Sequence, residues 1–178
     1  KNVLDVAKGT GDLAIALLKA KPDKITGIDI SVGMLEKGNE KIKQLKVDNI
    51  IELVKGDSEN IQFNDATFDA ITVAFGVRNY QNLDKGLSEM FRVLKPNSPL
   101  IVLEFSKPTN WFFKQVYFFY FCNVLPFIGR MVSKDSRAYT YLPESVKAFP
   151  DGSVFVNKLK QAGFKTVRCT PLTFGIST

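Results

Sequence analysis

An α/β fold built on a mainly parallel sheet follows from three features of this 178-residue chain. Short apolar runs alternate with helix-like stretches five times before residue 106, the pattern of strands joined by crossover helices. A glycine-rich turn separates the first run from the first helix. The length supports one well-buried core and is short for two domains, so residues 1–178 are expected to form a single domain.

The elements follow in order. NVLDVA (2–7) ends at glycine-rich sequence, as a buried parallel strand does. Residues 13–21 have helical composition and stop at Pro22, which cannot continue a helix. KITGIDI (24–30) is a second strand, and Ser31 is placed to cap a helix reaching to about Leu45. IIELVKGD (50–57) is a third strand with a polar exit, and FDAITVAF (68–75) a fourth. A helix over 83–94 is closed by Lys95-Pro96, and PLIVLEF (99–105) is a fifth strand. Later stretches near 142–149 and 154–162 read as helices, and 164–170 and 172–177 as strands. Only Pro171 divides the last two, which predicts an antiparallel pair at the sheet edge. Strand-like sequence at both ends, with no initiator methionine, predicts a chain trimmed at both ends.

Composition narrows the chemistry. The chain has no histidine, which excludes Ser-His and Cys-His nucleophile pairs and most zinc sites, so no metal is expected. Cys122 and Cys169 stand 47 residues apart, in no metal or redox spacing. They suit a reducing compartment, where free thiols act as small buried hydrophobes. Residues 1–100 hold 14 basic and 14 acidic side chains, whereas 101–178 hold 10 and 4, so the whole +6 excess lies in the second part. Nucleic acid, an anionic membrane surface or merely scattered solvated lysines would each account for that imbalance.

The same part contains an aromatic run: nine of the seventeen residues from Trp111 to Phe127 are aromatic. A membrane span needs ~20 consecutive apolar residues, and Lys114, Gln115, Asn123 and Pro126 interrupt this one. On a helix the three polar side chains point in scattered directions, leaving no proper solvent face. Such a helix is buried in a core or meets an apolar partner.

DVAKGTGDLA places Gly9-x-Gly11-x-x-Ala14 between a strand and a helix, with Asp29 eighteen residues after Gly11 at the end of the next strand. Glycines there let the backbone approach a ligand, and the carboxylate binds ribose hydroxyls. An accidental glycine turn, a nicotinamide dinucleotide site and an S-adenosylmethionine (SAM) site all fit this pattern. Asp5 and Asp12 favour SAM, because two acids repel a pyrophosphate but attract an ammonium and a sulfonium. Lys8 cuts the other way, as a cation in the loop suits phosphate. Asp57-Ser58, after the third strand, is placed to read an adenine edge.

VLDVAKGTGDLA, GIDISVGML, GDSENIQF, FDAITVAFGVRNY, FRVLKPNSPLIVLEFSKP and YTYLPESVKAFPDG occur in one order and spacing. In these stretches the chain closely resembles the ubiquinone/menaquinone biosynthesis C-methyltransferases, from first strand to last. The resemblance implies a Rossmann-like class I SAM-dependent methyltransferase fold. Its sheet would have seven strands, the last antiparallel, with a helical aromatic insertion after strand five. It implies methyl transfer from SAM to a ring carbon of a polyprenylated quinol, demethylmenaquinol above all. By position, Gly9, Thr10, Gly11, Asp29, Met34, Asp57 and Ser58 would contact SAM, and Arg78 and Asn79 the acceptor. With no histidine, a base would come from a carboxylate, a tyrosine or a water chain, with Asp135, Tyr139 and Tyr141 as candidates. Residues 107–150 would form a substrate lid, whose aromatic walls suit a flat ring and a lipid tail. Lys107, Lys114, Arg130, Lys134 and Arg137 flank the run and would hold it against anionic lipid. The expected location is cytoplasmic, peripheral to the inner face of the membrane, as a homodimer or within a quinone-biosynthesis complex and without nucleic acid. An NAD(P)-dependent oxidoreductase, a SAM-dependent RNA methyltransferase and a non-catalytic SAM-binding scaffold are the rival readings. An RNA enzyme would place its charge along an open groove with exposed aromatics instead of around one greasy run. Departures from the family pattern are Ala7-Lys8 before GTG, where a small residue is usual, and Asn97-Ser98 in place of a Gly-Gly turn.

Overall fold

The computed structural model describes residues 1–108, 111, 115, 119 and 137–178, with only the backbone of 137–140. The first half alternates as expected: β1 (Asn2–Val6), α1 (Asp12–Leu17), β2 (Lys24–Asp29), α2 (Val32–Gln44) and β3 (Ile51–Lys55). Then come β4 (Ala70–Ala74), α3 (Leu83–Val93), β5 (Leu100–Leu103), α4 (Arg137–Ala148) and α5 (Gly152–Gln161). Local chemistry sets the boundaries. Ser31 Oγ accepts from the Met34 N–H at 3.4 Å and starts α2, and Asn82 Oδ1 accepts from the Lys85 N–H at 3.0 Å and starts α3.

The five strands are parallel in the order β3-β2-β1-β4-β5. Alternation along each strand sends neighbouring side chains to opposite faces. Val3, Ile25 and Ile51 pack with Ala14 of α1 and Ile42 of α2 on one face. Leu4, Val6, Ile71 and Val73 pack with Leu87, Met90 and Val93 of α3 and Leu159 of α5 on the other. Each such aliphatic side chain contributes about 1.5–3 kcal/mol when fully buried. The strand order reverses between β1 and β4, so the loops leaving those two strands diverge and open a crevice there, the usual ligand position in an open α/β sheet.

The end of the chain departs from expectation. Five strands, rather than seven, are present among the described residues, and 164–170 and 172–177 do not form a paired hairpin. Pro171 has no N–H to give a ladder, and Thr173, Phe174 and Gly175 take left-handed φ values of 47°, 57° and 84°. Residues 172–177 therefore curl on themselves, with the Leu172 N–H donating to Ser177 O at 2.7 Å. Residues 176–178 lie antiparallel to 104–106: Glu104 and Thr178 exchange bonds of 2.9 Å, and Ser106 N–H donates to Ile176 O. The remaining edge of β5 borders a cavity of about 570 Å³ lined by Leu100, Val102, Phe164, Val167 and Cys169 among others. Cys169 is exposed rather than buried, because its segment joins no sheet. Cys122 lies outside the described residues.

The 107–150 segment is clasped at its two ends. The Lys107 N–H donates to Asp151 Oδ2 at 2.7 Å, its ammonium pairs with Asp151 Oδ1 at 3.3 Å and donates to Phe149 O at 3.2 Å. Lys107 is thus committed to α5 and not to lipid. Within the aromatic run, Trp111, Gln115 and Phe119 are helical and share one face; Trp111 and Phe119 are 73% and 64% exposed. At those positions the run does not enter a core. The rest of it, including Lys114, Arg130, Lys134 and the candidate base Asp135, lies outside the described residues. Among the described residues no helix is long and apolar enough to cross a membrane.

Candidate active site

The side expected to hold the methyl donor is built by the loops leaving β1, β2 and β3. Gly11 has φ 81°, a left-handed value that glycine adopts without steric cost, and from there the chain turns directly into α1. Asp29, at the end of β2, bonds two backbone amides: its Oδ2 accepts from the Gly9 N–H at 2.8 Å, its Oδ1 from the Ser31 N–H at 2.9 Å. One carboxylate therefore sets both the glycine loop and the start of α2. A carboxylate has about four acceptor positions, so both oxygens keep capacity for ligand hydroxyls. Thr10 donates from Oγ1 to Asp12 Oδ2 at 2.6 Å. Past β3, Asp57 Oδ1 accepts from the Glu59 N–H at 2.8 Å, forming a tight turn around Ser58. Met34, 43% exposed, sits in the first turn of α2.

Charges in this region differ from the sequence expectation in two places. Asp12 is already paired: Lys41 bonds its Oδ1 at 2.7 Å and, with Thr10, holds its carboxyl below the ordinary range. Lys8 is buried and not offered to a phosphate. Its stem runs between Gly27 and Gly38, where a Cβ would meet Lys8 Cδ at 2.7 Å and Nζ at 2.9 Å, and its ammonium donates to Gly9 O at 2.9 Å. Burial pushes its pKa down, against the pull of Asp29 and Asp5. Asp5 is the more telling acid. It lies within β1, fully buried between Gly27 and Thr72 on the neighbouring strands. Thr72 Oγ1 donates to Oδ1 at 3.0 Å, while Oδ2 has no partner. Burial pushes its carboxyl up to about 7.

The side expected to meet the acceptor is built by the exits of β4 and β5. Gly76 lies so close to the donor loop that a Cβ there would meet Ala7 Cβ at 2.6 Å. Arg78 does not emerge into solvent over the sheet edge. Its Nη1 pairs with Glu104 Oε1 at 2.7 Å, with side-chain exposures of 11% and 4%, and donates to Phe75 O at 2.5 Å. Its Nε is buried without a hydrogen-bond partner. Glu104 is the functional-edge residue that sequence reasoning passed over. An acid closing the apolar run PLIVLEF needs a buried cation, and that requirement was the available signal. Asn79 and Tyr141 do meet: the tyrosine hydroxyl donates to Asn79 Oδ1 at 2.8 Å, joining α4 to the turn after β4. Tyr139 lies on the same helix.

The spare lone pairs of Asp29 and the open space above Gly9 suit a ligand rich in hydrogen-bond donors, and the ribose hydroxyls of SAM fit them.

The profile of the ubiE/COQ5 methyltransferase family matches residues 1–178. The chain belongs to this family. The demethylmenaquinone methyltransferase of Bacteroides fragilis is 46% identical over 179 residues, covering 100% of this chain and 73% of the relative. The ubiquinone/menaquinone biosynthesis C-methyltransferase UbiE of a Geobacter species is 47% identical, over 99% of this chain and 75% of its own length. Among solved structures, a SAM-dependent methyltransferase from Aquifex aeolicus superimposes with a TM-score of 0.56 at 30% identity, over 62% of this chain and 59% of that one. The ubiE/COQ5 chain is a SAM-dependent C-methyltransferase of quinone biosynthesis with a Rossmann-like class I fold.

Proposed function

We propose that the chain methylates a ring carbon of demethylmenaquinol, in contact with the inner face of the cytoplasmic membrane. The observation that carries the reading is the 46% identity, over the whole chain, to a relative named for demethylmenaquinone. The closeness of donor and acceptor sides at Gly76 and Ala7 supports it.

SAM supplies a methyl group already activated on a sulfonium. The residues must hold donor and acceptor in line and make the ring carbon nucleophilic. Gly9, Thr10 and Gly11 line the loop, and Asp29 takes the ribose hydroxyls while keeping its grip on Gly9 and Ser31. Met34, Asp57 and Ser58 receive the adenosyl part. Ionised Asp5 balances the ligand's positive charge through the loop. On the acceptor side, removal of a quinol hydroxyl proton raises electron density at the ring carbon. Arg78 stabilises the phenolate as it forms, with Glu104 fixing the guanidinium, and Asn79 orients the hydroxyl. Tyr141, bonded to Asn79, Tyr139 and Asp135 are the base candidates, and a tyrosine serves as one after its own hydroxyl proton has left to solvent. Residues 107–150 form the lid over ring and tail. Trp111 and Phe119 present its apolar face to lipid, and Lys114, Arg130, Lys134 and Arg137 meet anionic headgroups.

The test is expression in a bacterium lacking its own demethylmenaquinone methylation, followed by mass spectrometry of the quinones. Recovery of menaquinone is expected; accumulation of demethylmenaquinone alone overturns the acceptor assignment. Replacing Trp111 and Phe119 by Ser is expected to lower association with anionic liposomes while leaving SAM binding in place. Unchanged association removes the lipid contact.

A further inference from the structure

Phe75 is a large apolar residue in a position such residues avoid. It is 38% exposed, and its φ of 54° lies in a region where a bulky side chain is a genuine outlier. Strain of this kind persists only where the surroundings over-determine it, and it gathers at sites that bind or react. Those surroundings are well defined. The Phe75 N–H donates to Leu103 O at 2.8 Å and its carbonyl accepts from Arg78 Nη1 at 2.5 Å, so β5 and Arg78 pin the turn between them. The ring lies on Phe105, with centroids 4.6 Å apart and planes at 36°. The Arg78 guanidinium carbon in turn stands 5.2 Å from the Phe105 centroid. Core burial does not account for this arrangement, because the strained residue leaves much of its ring in water.

Position narrows what the ring can serve. Phe75 follows β4 directly, and its neighbour Gly76 abuts Ala7 at the root of the donor loop. The Asp57-Ser58 turn leaves β3, which β2 and β1 separate from β4. The strands themselves stand about 14 Å apart, but the loop after β3 crosses back towards α3, where Glu59 Oε1 accepts from the Asn82 N–H at 2.9 Å. The aromatic surface of Phe75 and Phe105 stands between the donor loop and the exit of β5, with a charged guanidinium stacked beneath it.

We propose that Phe75, backed by Phe105, is the platform on which the flat hydroxylated ring of the acceptor lies during transfer. The inference rests on the reading of the acceptor as a quinol and assigns that ring its seat. Offset stacking favours a planar ring, and the geometry makes Phe75 a specificity-determining residue for ring shape. The pinned backbone keeps the platform in place before the acceptor arrives.

Three variants and one spectroscopic label test this. Phe75→Leu removes the aromatic face and keeps a bulky side chain at the strained φ. It is expected to raise KM for demethylmenaquinol about tenfold and to leave the SAM dissociation constant within about twofold. Phe75→Tyr restores KM, and Phe75→Gly, which relieves the backbone, raises KM although it does not lower Tm. An unchanged KM in Phe75→Leu, or an equal loss of SAM affinity, overturns the platform. Should the leucine variant fold poorly, 4-fluorophenylalanine at position 75 of the otherwise native chain gives the answer: titration with menadiol is expected to shift its fluorine resonance upfield, and no shift overturns the proposal. Absence of methyl transfer by the native chain would remove the quinol reading, whereas transfer with a silent fluorine resonance would remove Phe75 alone.

Discussion

The donor and acceptor sides stand next to each other on one sheet edge and are built in different ways. Around Gly9–Gly11 the backbone amides are set by one carboxylate, Asp29, whose own bonds span 20 residues or fewer. Around Arg78, Asn79 and Phe75 the working groups are side chains paired across long intervals: Glu104 lies 26 residues from Arg78, and Tyr141 lies 62 from Asn79. The first arrangement tolerates sequence change wherever the loop keeps its shape. The second depends on the identity of each partner. In the proposed function, a donor common to many reactions is bound by backbone geometry, and the acceptor that distinguishes one reaction from another is met by side chains.

The largest test of that contrast falls on the buried pair. Arg78→Ala or Glu104→Ala leaves a buried charge unpaired and is expected to destabilise the fold by about 3–5 kcal/mol, read from denaturant unfolding. Arg78→Met combined with Glu104→Leu removes both charges and is expected to recover most of that stability. Methyl transfer in the double variant stays ~100–1000-fold below native, because the phenolate has lost its donor. Recovery of transfer together with stability would make the pair a structural feature only.

Next in size is Asp5, the one strongly displaced acid of the donor side. Its folded pKa of about 7 stands above the ordinary 3.8, so the folded state holds a proton that the unfolded chain releases. Stability therefore declines as pH rises from about 4 to about 7, by roughly 4 kcal/mol at most. SAM binding carries the opposite slope, since the ionised carboxylate meets a cation, and affinity is expected to rise through pH 7. Lys8 and Asp29 are the other charged groups acting on Asp5. Asp5→Asn, which keeps the side-chain shape beside Thr72, is expected to flatten both profiles. Parallel slopes in native and variant would assign the titration elsewhere.

A smaller effect is expected at Asp29. Asp29→Ala removes the acceptor of the Gly9 and Ser31 amides and is expected to weaken SAM by ~1.5–3 kcal/mol, with KM for the quinol little changed. Asparagine has one acceptor oxygen for two amides and should fall between alanine and the native residue. Calorimetry showing native affinity in either variant would move ribose recognition away from β2.

The same contrast explains how much could be read from the sequence. The five strands were legible because each is a short apolar run between breakers, α2 because Ser31 caps it, and α3 because Lys95-Pro96 closes it. The donor loop was legible because a glycine turn needs only neighbours. The place of Arg78 after β4 was recognisable, but its commitment to Glu104 was not, since pairing across β4 and β5 depends on register. Lys8 appeared to point at the ligand because nothing local reveals the channel that Gly27 and Gly38 open for its stem. The terminal hairpin failed because alternation in 172–177 suggested a strand while Pro171 and three left-handed residues made a curl.

The smallest expected effect concerns the contact that ties α4 to the site. Tyr141 is 52% exposed and its hydroxyl reaches Asn79 Oδ1 at 2.8 Å. Losing one such bond in Tyr141→Phe is expected to cost about 0.5–1.5 kcal/mol of stability, and SAM affinity is expected to hold because no donor residue touches this pair. Transfer separates two roles. A hydroxyl that only orients Asn79 makes Asn79 mobile, and the rate falls about tenfold with the pH profile unchanged, consistent with the loss of one ordinary hydrogen bond. A tyrosinate that takes the quinol proton, its own proton having gone to solvent, is worth ~100–10,000-fold, and its removal also erases the rise of rate with pH that its ionisation sets. Asn79→Asp distinguishes the two again, because a carboxylate at this position still accepts from Tyr141 but repels the developing phenolate. Retained transfer in that variant would place Asn79 away from the reacting ring and leave Tyr141 as a tether of the lid.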